Sequence, residues 1–451
     1  MPELQAFLDN IDGYIWGLPM LVLLMGTGVL LTVRLNLIQV FRLPMALKLI
    51  FTARNEGIGD VSSFKSLCTA LAATVGTGNI VGVATAVMSG GPGALFWMWV
   101  AAFLGIATKY AEGLLSIRFR TFDERGEALG GPMRYIEMGL GAKWKFLAIL
   151  FAIFGALAGV LGIGTSTQVN AVINAFNSSF GFNMFYTALV VAALVALVIL
   201  GGIRSIATVS ASIVPIMCLV YVFFGLGILV EHWAQVPAAF ALIFREAFNF
   251  NAIGGGITGS VFAAAIRTGV ARGIFSNEAG LGSAPIASAA AKTHWAAEQG
   301  LISMTGTFID TIIICSVTGL SLIVTNVYTG TERGARLTQA AFGEVYGEIG
   351  PYILTVCLAL FAFTTILGWA YYGERCATYV FGVKATLPYR LLYILAVALA
   401  AYEFPLDVVW AVADITNGLM AFPNLIALVG LSSVVVVETR KYFQHLSSIR
   451  R

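Results

Sequence analysis

Charge is what this sequence has least of. Of its 451 residues 11% are Asp, Glu, Lys or Arg and 59% are apolar, whereas a soluble domain carries about 25% charged residues. That shortage leaves little room for a water-soluble domain. Histidine is also scarce. His232, His294 and His445 are dispersed, with no ligand spacing among themselves or to the cysteines, so they offer no catalytic or metal constellation for a membrane enzyme. Five cysteines (Cys68, Cys218, Cys315, Cys357, Cys376) lie scattered in apolar runs. One must stay unpaired, and they read as small buried hydrophobes rather than a disulfide framework. A net charge of +3 gives no support to a nucleic-acid partner. No cleavable signal peptide is expected, because Met1–Asp12 is acidic and the first apolar run is too long and lacks a clear cleavage site.

What is present is apolar length. A bilayer crossing needs roughly 17–25 apolar residues. About eleven stretches qualify: Tyr14–Val33, Phe64–Met88, Ala94–Ile117, Phe146–Phe176, Met184–Leu200, Ala207–Leu229, Gly259–Ala290, Leu301–Val327, Tyr352–Phe381, Pro388–Phe404 and Val408–Val437. Two of them carry the same interruption at their middles, Gly76-Thr77-Gly78-Asn79 and Gly280-Leu281-Gly282-Ser283. Paired glycine breaks in corresponding halves point to a secondary transporter built from inverted repeats. Backbone that leaves the helix at membrane depth is tolerated only where it lines a cavity or is buried in protein. Function is therefore sought at the breaks.

The expected fold is an all-α polytopic membrane protein forming one transporter domain over 1–451. Residues 1–63 hold an extra N-terminal helix and an amphipathic segment (Gln39–Ala53) that lies on the membrane face. Residues 64–230 form the first five-helix repeat, and 231–451 the second repeat and tail. Basic residues set the orientation. With the N-terminus outside, Arg34, Arg42, Lys48, Arg54 and Lys65, the loop from Arg118 to Lys145, and the tail with Arg440, Lys441, Arg450 and Arg451 all fall in the cytoplasm, against Arg245, Arg333 and Arg336 outside.

Three segments resemble the alanine/glycine:cation symporter family. They are Gly90-Gly91-Pro92-Gly93-Ala94-Leu95-Phe96-Trp97-Met98-Trp99-Val100, Thr74–Gly82 around the first break, and Arg272–Pro285 around the second. The hydrophobic layout matches over essentially the whole chain, and the family is similar in fold to the leucine-transporter-like five-plus-five group. The resemblance implies sodium-coupled movement of small neutral amino acids, alanine and glycine, across the plasma membrane, with no enzyme activity and no cofactor besides sodium as coupling ion. A symporter of the same fold for another small organic solute is the alternative. A channel fits less well, since filter loops and charged rings are not apparent.

A zwitterionic amino acid needs donors for its carboxylate and acceptors for its ammonium. Unpaired N–H groups where the second half of the first broken span begins suit the carboxylate, which selects Thr77 and Gly78, with Asn79 beside them. Carbonyls around Gly273, Ile274, Phe275 and Ser276 suit the ammonium, with Asn277 and Gln168 adding amide capacity. The resemblance implies that Phe275 and Trp369 wall the side-chain space. It also implies that the paired hydroxyls Thr364 and Thr365, with carbonyls near Ala72, Val75 and Phe361, form an all-oxygen sodium cage; neutral oxygens cannot hold a proton at physiological pH. Arg272 is placed to close over the site by pairing with Asp414, or else to neutralise Glu278. Lys109–Glu112 and Glu374–Arg375 read as pairs near cytoplasmic helix ends. Asp310, also within a span, has no partner that the sequence identifies.

Overall fold

In lipid every backbone N–H and C=O must find its partner inside the protein, and for a single apolar segment the helix is the solution. The computed structural model, which describes residues 2–53, 56–248, 256–400 and 406–449, is accordingly almost entirely helical. Arg54, Arg450, Arg451 and the end of the tenth apolar stretch (401–404) lie outside the described residues. The helices used below are α1 (Leu18–Arg34), α2 (Leu43–Thr52), α3 (Ser63–Thr74), α4 (Gly78–Gly90), α5 (Gly93–Arg118), α6 (Lys145–Leu161), α7 (Ser166–Phe180), α8 (Met184–Ile199), α9 (Gly202–Glu231), α10 (Gly256–Asn277), α11 (Ala284–Ser288), α12 (Ala296–Val324), α13 (Ala335–Tyr346), α14 (Gly350–Phe381), α15 (Thr386–Leu399), α16 (Leu406–Gly430) and α17 (Ser432–Ile449).

Among the described residues, seven helical segments are long and apolar enough to cross a bilayer. An eighth is formed if α3 and α4, bent by 50° across their break, count as one span. The last apolar stretch, expected to run to Val437, stops instead at Gly430, and after Leu431 the tail continues as the separate helix α17. The amphipathic segment is helical over Ile38–Phe41 and α2, with Val40, Phe41 and Phe51 exposed.

Large apolar side chains on the outer faces of α8, α9 and α15, such as Leu197, Leu219, Phe223 and Leu391, are exposed, as lipid-facing positions are. Among the described residues the interior holds two large apolar clusters and one small one, with the most extensive packing between α5 and both α12 and α10, and between α14 and α6. Both interrupted helices are enclosed by this frame. A short hairpin, β1 (Thr121–Phe122) paired antiparallel with β2 (Ala128–Leu129), follows α5. Buried Arg375 of α14 reaches its Asp123 (3.5 Å) and Glu127 while also pairing with Glu374 (3.1 Å). Partial burial alone would raise Asp123, but hydrogen bonds from the N–H groups of Glu127 and Arg125, and from the Arg125 guanidinium, hold it below the ordinary carboxylate range.

Candidate functional site

At the first break the chain leaves the helix at Val75 (ψ +93°), whose N–H still bonds the Leu71 carbonyl. The next two N–H groups turn to side chains. Gly76 donates to Asn79 Oδ1 (2.9 Å) and Thr77 to Gln168 Oε1 (3.3 Å), while the other end of that amide, Gln168 Nε2, is anchored on the Ile163 carbonyl (3.1 Å). In an intact helix those N–H groups would bond four residues back. Their diversion leaves the carbonyls of Ala72 and Ala73 without helical partners. The Thr77 hydroxyl is buried and makes no hydrogen bond among the described residues. A Cβ on Gly78 would stand 3.0 Å from Ser276 Cα and 3.3 Å from Phe275 Cδ1, so the two broken helices meet there with no room for a side chain.

Thr365 on α14 faces the same break: its hydroxyl lies 3.4 Å from the Val75 carbonyl and 3.0 Å from that of Phe361. Thr364 does not join it. Its hydroxyl bonds the Leu360 and Phe361 carbonyls (3.1 and 3.0 Å) and lies against Met217 of α9. Neighbouring residues on a helix point about 100° apart, so two adjacent hydroxyls cannot both face one break. The Phe361 carbonyl already accepts from both threonines.

The second break begins later than the Gly273–Ser276 carbonyls suggested. Helix α10 is unbroken to Asn277; Gly273 faces Met98 of α5, and the Ile274 carbonyl accepts the Glu278 N–H (2.8 Å). From there the N–H groups go elsewhere. Ala279 donates to Asn277 Oδ1 (2.9 Å), and Gly280 and Gly282 both donate to Glu112 Oε1 (3.2 and 3.1 Å). The carbonyls thereby released from the helical ladder are those of Phe275 and Ser276. Glu278, Gly280 and Gly282 all have positive φ, a strained backbone for glutamate.

Charged groups hold this strained turn. Glu278 accepts from Ser283 Oγ (2.6 Å) and from Trp369 Nε1 (2.8 Å), Asn424 of α16 donates to Glu112 (2.7 Å), and Lys109 Nζ donates to the Glu278 carbonyl (3.3 Å). Lys109 and Glu112 are thus fully buried beside the break, not pairing at a helix end, and Arg272 is not the partner of Glu278. The indole N–H of Trp369 is spent on Glu278, and the Cβ of Trp369 lies against Gly164 in the turn between α6 and α7.

Asp310 joins the two breaks. It sits in a widened, π-helical stretch of α12, Phe308–Cys315. One carboxylate oxygen accepts from Asn79 Nδ2 (2.7 Å), and the other from Ser276 Oγ (2.9 Å) and Thr311 Oγ1 (2.7 Å). Asn79 therefore has both ends of its amide committed, to Gly76 and to Asp310. The amide of Asn277 is committed to Ala279 and Thr311 in the same way.

Arg272 and Asp414 pair bidentately, at 2.7 and 3.3 Å, with both side chains mostly buried. The guanidinium lies over the rings of Phe275 (5.6 Å) and Trp410 (5.2 Å), and those rings are 5.1 Å apart. Trp410, not Trp369, is the aromatic that Phe275 meets. It also lines a cavity of about 530 Å³ with Val81, Thr167, Asn170, Arg333 and Gln339.

A sequence-family comparison decides what this arrangement belongs to: the model of the sodium:alanine symporter family matches residues 1–450. The chain is a member of that family. It is 54% identical to an uncharacterized transporter of Haemophilus influenzae, over 98% of this chain and 97% of the relative. It is 49% identical to the sodium/alanine symporter AgcS of Methanococcus maripaludis, again over 98% and 97%. Among solved structures it is similar in fold to MhsT in complex with L-phenylalanine, with a TM-score of 0.56 and 13% identity, covering 86% of this chain and 99% of that one. Members of the sodium:alanine symporter family are transporters, not enzymes. The residues around the first break fit the family's ion: the diverted Ala72 carbonyl, the Val75 carbonyl and the Thr365 hydroxyl are neutral oxygens, the ligand class of a hard monovalent cation.

Sequence reasoning missed Trp410 and Asn424, placed Glu112 in a pair at a helix end, and left Asp310 unassigned. Trp410 lies one helical turn before Asp414, a spacing that pairing with Arg272 makes significant. Glu112 carried a signal as an intramembrane carboxylate. Nothing local showed that it caps a break 168 residues away.

Proposed function

We propose that this protein carries a small neutral amino acid, alanine or glycine, into the cell together with sodium, by alternating access. The observation that carries this reading is the buried, unpartnered Thr77 hydroxyl at a break whose N–H groups rest on neutral amide oxygens. A substrate carboxylate accepts from that hydroxyl and from the N–H groups of Thr77 and Gly78, displacing Gln168 Oε1, and gains the positive end of α4. The ammonium donates to the carbonyls released at Phe275 and Ser276. Phe275 and Trp410 bound the space left for a side chain. Sodium sits between Ala72, Val75 and Thr365, against the same break, so that ion and substrate stabilise one backbone conformation. The relative named for sodium and alanine, aligned over nearly its whole length, supports both cargoes.

In this reading the N-terminus is outside the plasma membrane and the C-terminus cytoplasmic. The two glycine breaks open the first helices of two inverted five-helix repeats, 64–230 and 231–451, with 1–63 added in front. Arg272–Asp414 with Trp410 is the outer closure. The test is uptake of labelled alanine by proteoliposomes under an inward sodium gradient. Concentrative uptake, abolished when potassium replaces sodium, is expected. Uptake indifferent to sodium overturns the coupling, and failure of alanine and glycine to compete with any transported solute moves the protein to the alternative, a symporter for another small organic solute.

A further inference from the structure

Where the apolar helix α1 ends at Arg34, the chain reverses through Asn36 (φ +52°) and Leu37 (φ +53°), both left-handed. The Leu37 N–H bonds the Thr32 carbonyl (2.9 Å), and Gln39 Nε2 bonds the Thr32 hydroxyl (2.9 Å), fixing the reversal. Together with the C-terminal helix α17 this turn encloses a concave cavity of about 520 Å³. Arg34, Arg42 and Arg440 line it, and no carboxylate does. None of the three is neutralised by an acid among the described residues. Arg34 donates to the hydroxyls of Ser432 and Ser433, Arg42 lies 4.2 Å over the Phe443 ring, and Arg440 makes no ion pair. The remaining wall mixes apolar residues, among them Phe41, Val436 and Phe443, with the polar Asn36, Thr439, Gln444 and Ser447, and Phe41 is 69% exposed.

Three arginines line one cavity whose wall holds no carboxylate, and an anion bound there is attracted by their charge. The guanidinium fork matches the oxygens of a phosphate group. The depth of the cavity narrows the class further. Arg34 is the last residue of an apolar membrane helix, and the exposed Val40, Phe41 and Phe51 of the amphipathic segment lie alongside, so the cavity opens where lipid phosphates lie. We propose that this cavity binds the headgroup of an anionic phospholipid, its phosphate between Arg34, Arg42 and Arg440 and its upper acyl chains against Phe41 and Phe443. The lipid bridges the amphipathic segment to α17. Because α17 directly follows α16, which carries Asp414 and Asn424, the bound lipid also steadies the helix that serves both the Arg272 pair and the second break. A zwitterionic lipid adds an ammonium that meets no acid in the cavity wall, so charge selects against it.

Native mass spectrometry of the full chain, purified with defined mixtures of phosphatidylglycerol and phosphatidylethanolamine, tests this. The wild type is expected to retain phosphatidylglycerol preferentially. The double variant Arg42→Gln/Arg440→Gln should lose that preference by at least about tenfold, and Arg42→Lys/Arg440→Lys, which keeps the charge, should retain most of it. The lysine pair also serves if the glutamine pair fails to fold, since loss of charge selectivity under high salt can then be read on it and on the wild type. Equal retention of the two lipids by the wild type, or undiminished selectivity in a folded Arg42→Gln/Arg440→Gln protein, overturns the proposal. Displacement of phosphatidylglycerol by millimolar inorganic phosphate also overturns it, because the cavity is then a soluble-anion site.

Discussion

The two broken helices differ in what holds the break open. At the first, the gap spans only 75–77, and the diverted N–H groups rest on the neutral side chains of Asn79 and Gln168. At the second, the gap spans 278–283, three of its residues have positive φ, and the N–H groups of Gly280 and Gly282 rest on the carboxylate of Glu112, itself near Lys109 and tied to Asn424. A neutral acceptor gives up a donor to an incoming carboxylate at little cost. A buried carboxylate does not, since releasing it strands a charge in a low-dielectric interior. The same glycine pattern is thus held in two ways: one break by neutral acceptors that the proposed substrate can displace, and the other by a buried carboxylate that fixes the turn.

The comparison breaks most visibly at Glu112. Glu112→Ala leaves the N–H groups of Gly280 and Gly282 and the Asn424 amide without their acceptor and removes the carboxylate charge near buried Lys109, and the loss expected for stranding a buried charge is about 3–5 kcal/mol. Thermal unfolding of the purified variant should show a large drop in stability, and transport should vanish. A stable, active Glu112→Ala protein would make the two breaks equivalent.

At the first break the threonines sharpen the contrast. Thr365→Val removes an oxygen that faces Val75 and should raise the sodium concentration for half-maximal uptake by about tenfold, equivalent to ~1.4 kcal/mol. Thr364→Val, whose hydroxyl back-bonds its own helix and faces Met217 rather than the break, should leave that concentration within about twofold. A reversed order would return Thr364 to the cage.

Arg272 and Asp414 act on the first half of the second broken helix. Neutralising either should slow transport and alter access to the site, and a double-mutant cycle with the charges exchanged should show coupling of about 1 kcal/mol or more. Strict additivity would mean that the pair is incidental. The smallest effect concerns size. Trp410→Leu should extend competition from alanine to valine while weakening alanine only modestly, because excluding a large side chain depends on a packed wall. Trp369→Phe deletes the hydrogen bond to Glu278 and should act mainly on stability. If instead it alone admits larger solutes, Trp369 is the wall.

Much of the fold was legible because it depends on few variables. Apolar length gave the all-helical, polytopic character, though seven or eight of the described segments pass as spans where about eleven are expected, and repeated glycines located both breaks. The Arg272–Asp414 pairing and the approach of Thr365 to Val75 were also within reach. What could not be read depends on local angles and distant partners. The extra turn width that aims Asp310 at Asn79 and Ser276 has no signal in residue type. Whether Asn79 and Asn277 serve ligand or backbone depends on which N–H groups lose their helical carbonyls, and that follows from where α10 stops, at Asn277 rather than near Gly273. Lys109 and Glu112 were misplaced because helix position was taken to mean membrane depth, whereas the strained turn from Glu278 to Ser283 needs their charge in the interior.

The claim that the first break is where the substrate carboxylate binds is tested most directly by equilibrium binding of alanine, in sodium, to Thr77→Val and Thr77→Ser. Valine keeps the shape of threonine and removes its unpartnered hydroxyl, whereas serine keeps the hydroxyl. The expected result is affinity about tenfold weaker for valine and near that of the wild type for serine, with thermal stability unchanged in both. Unaltered alanine affinity in a folded Thr77→Val protein would contradict the account.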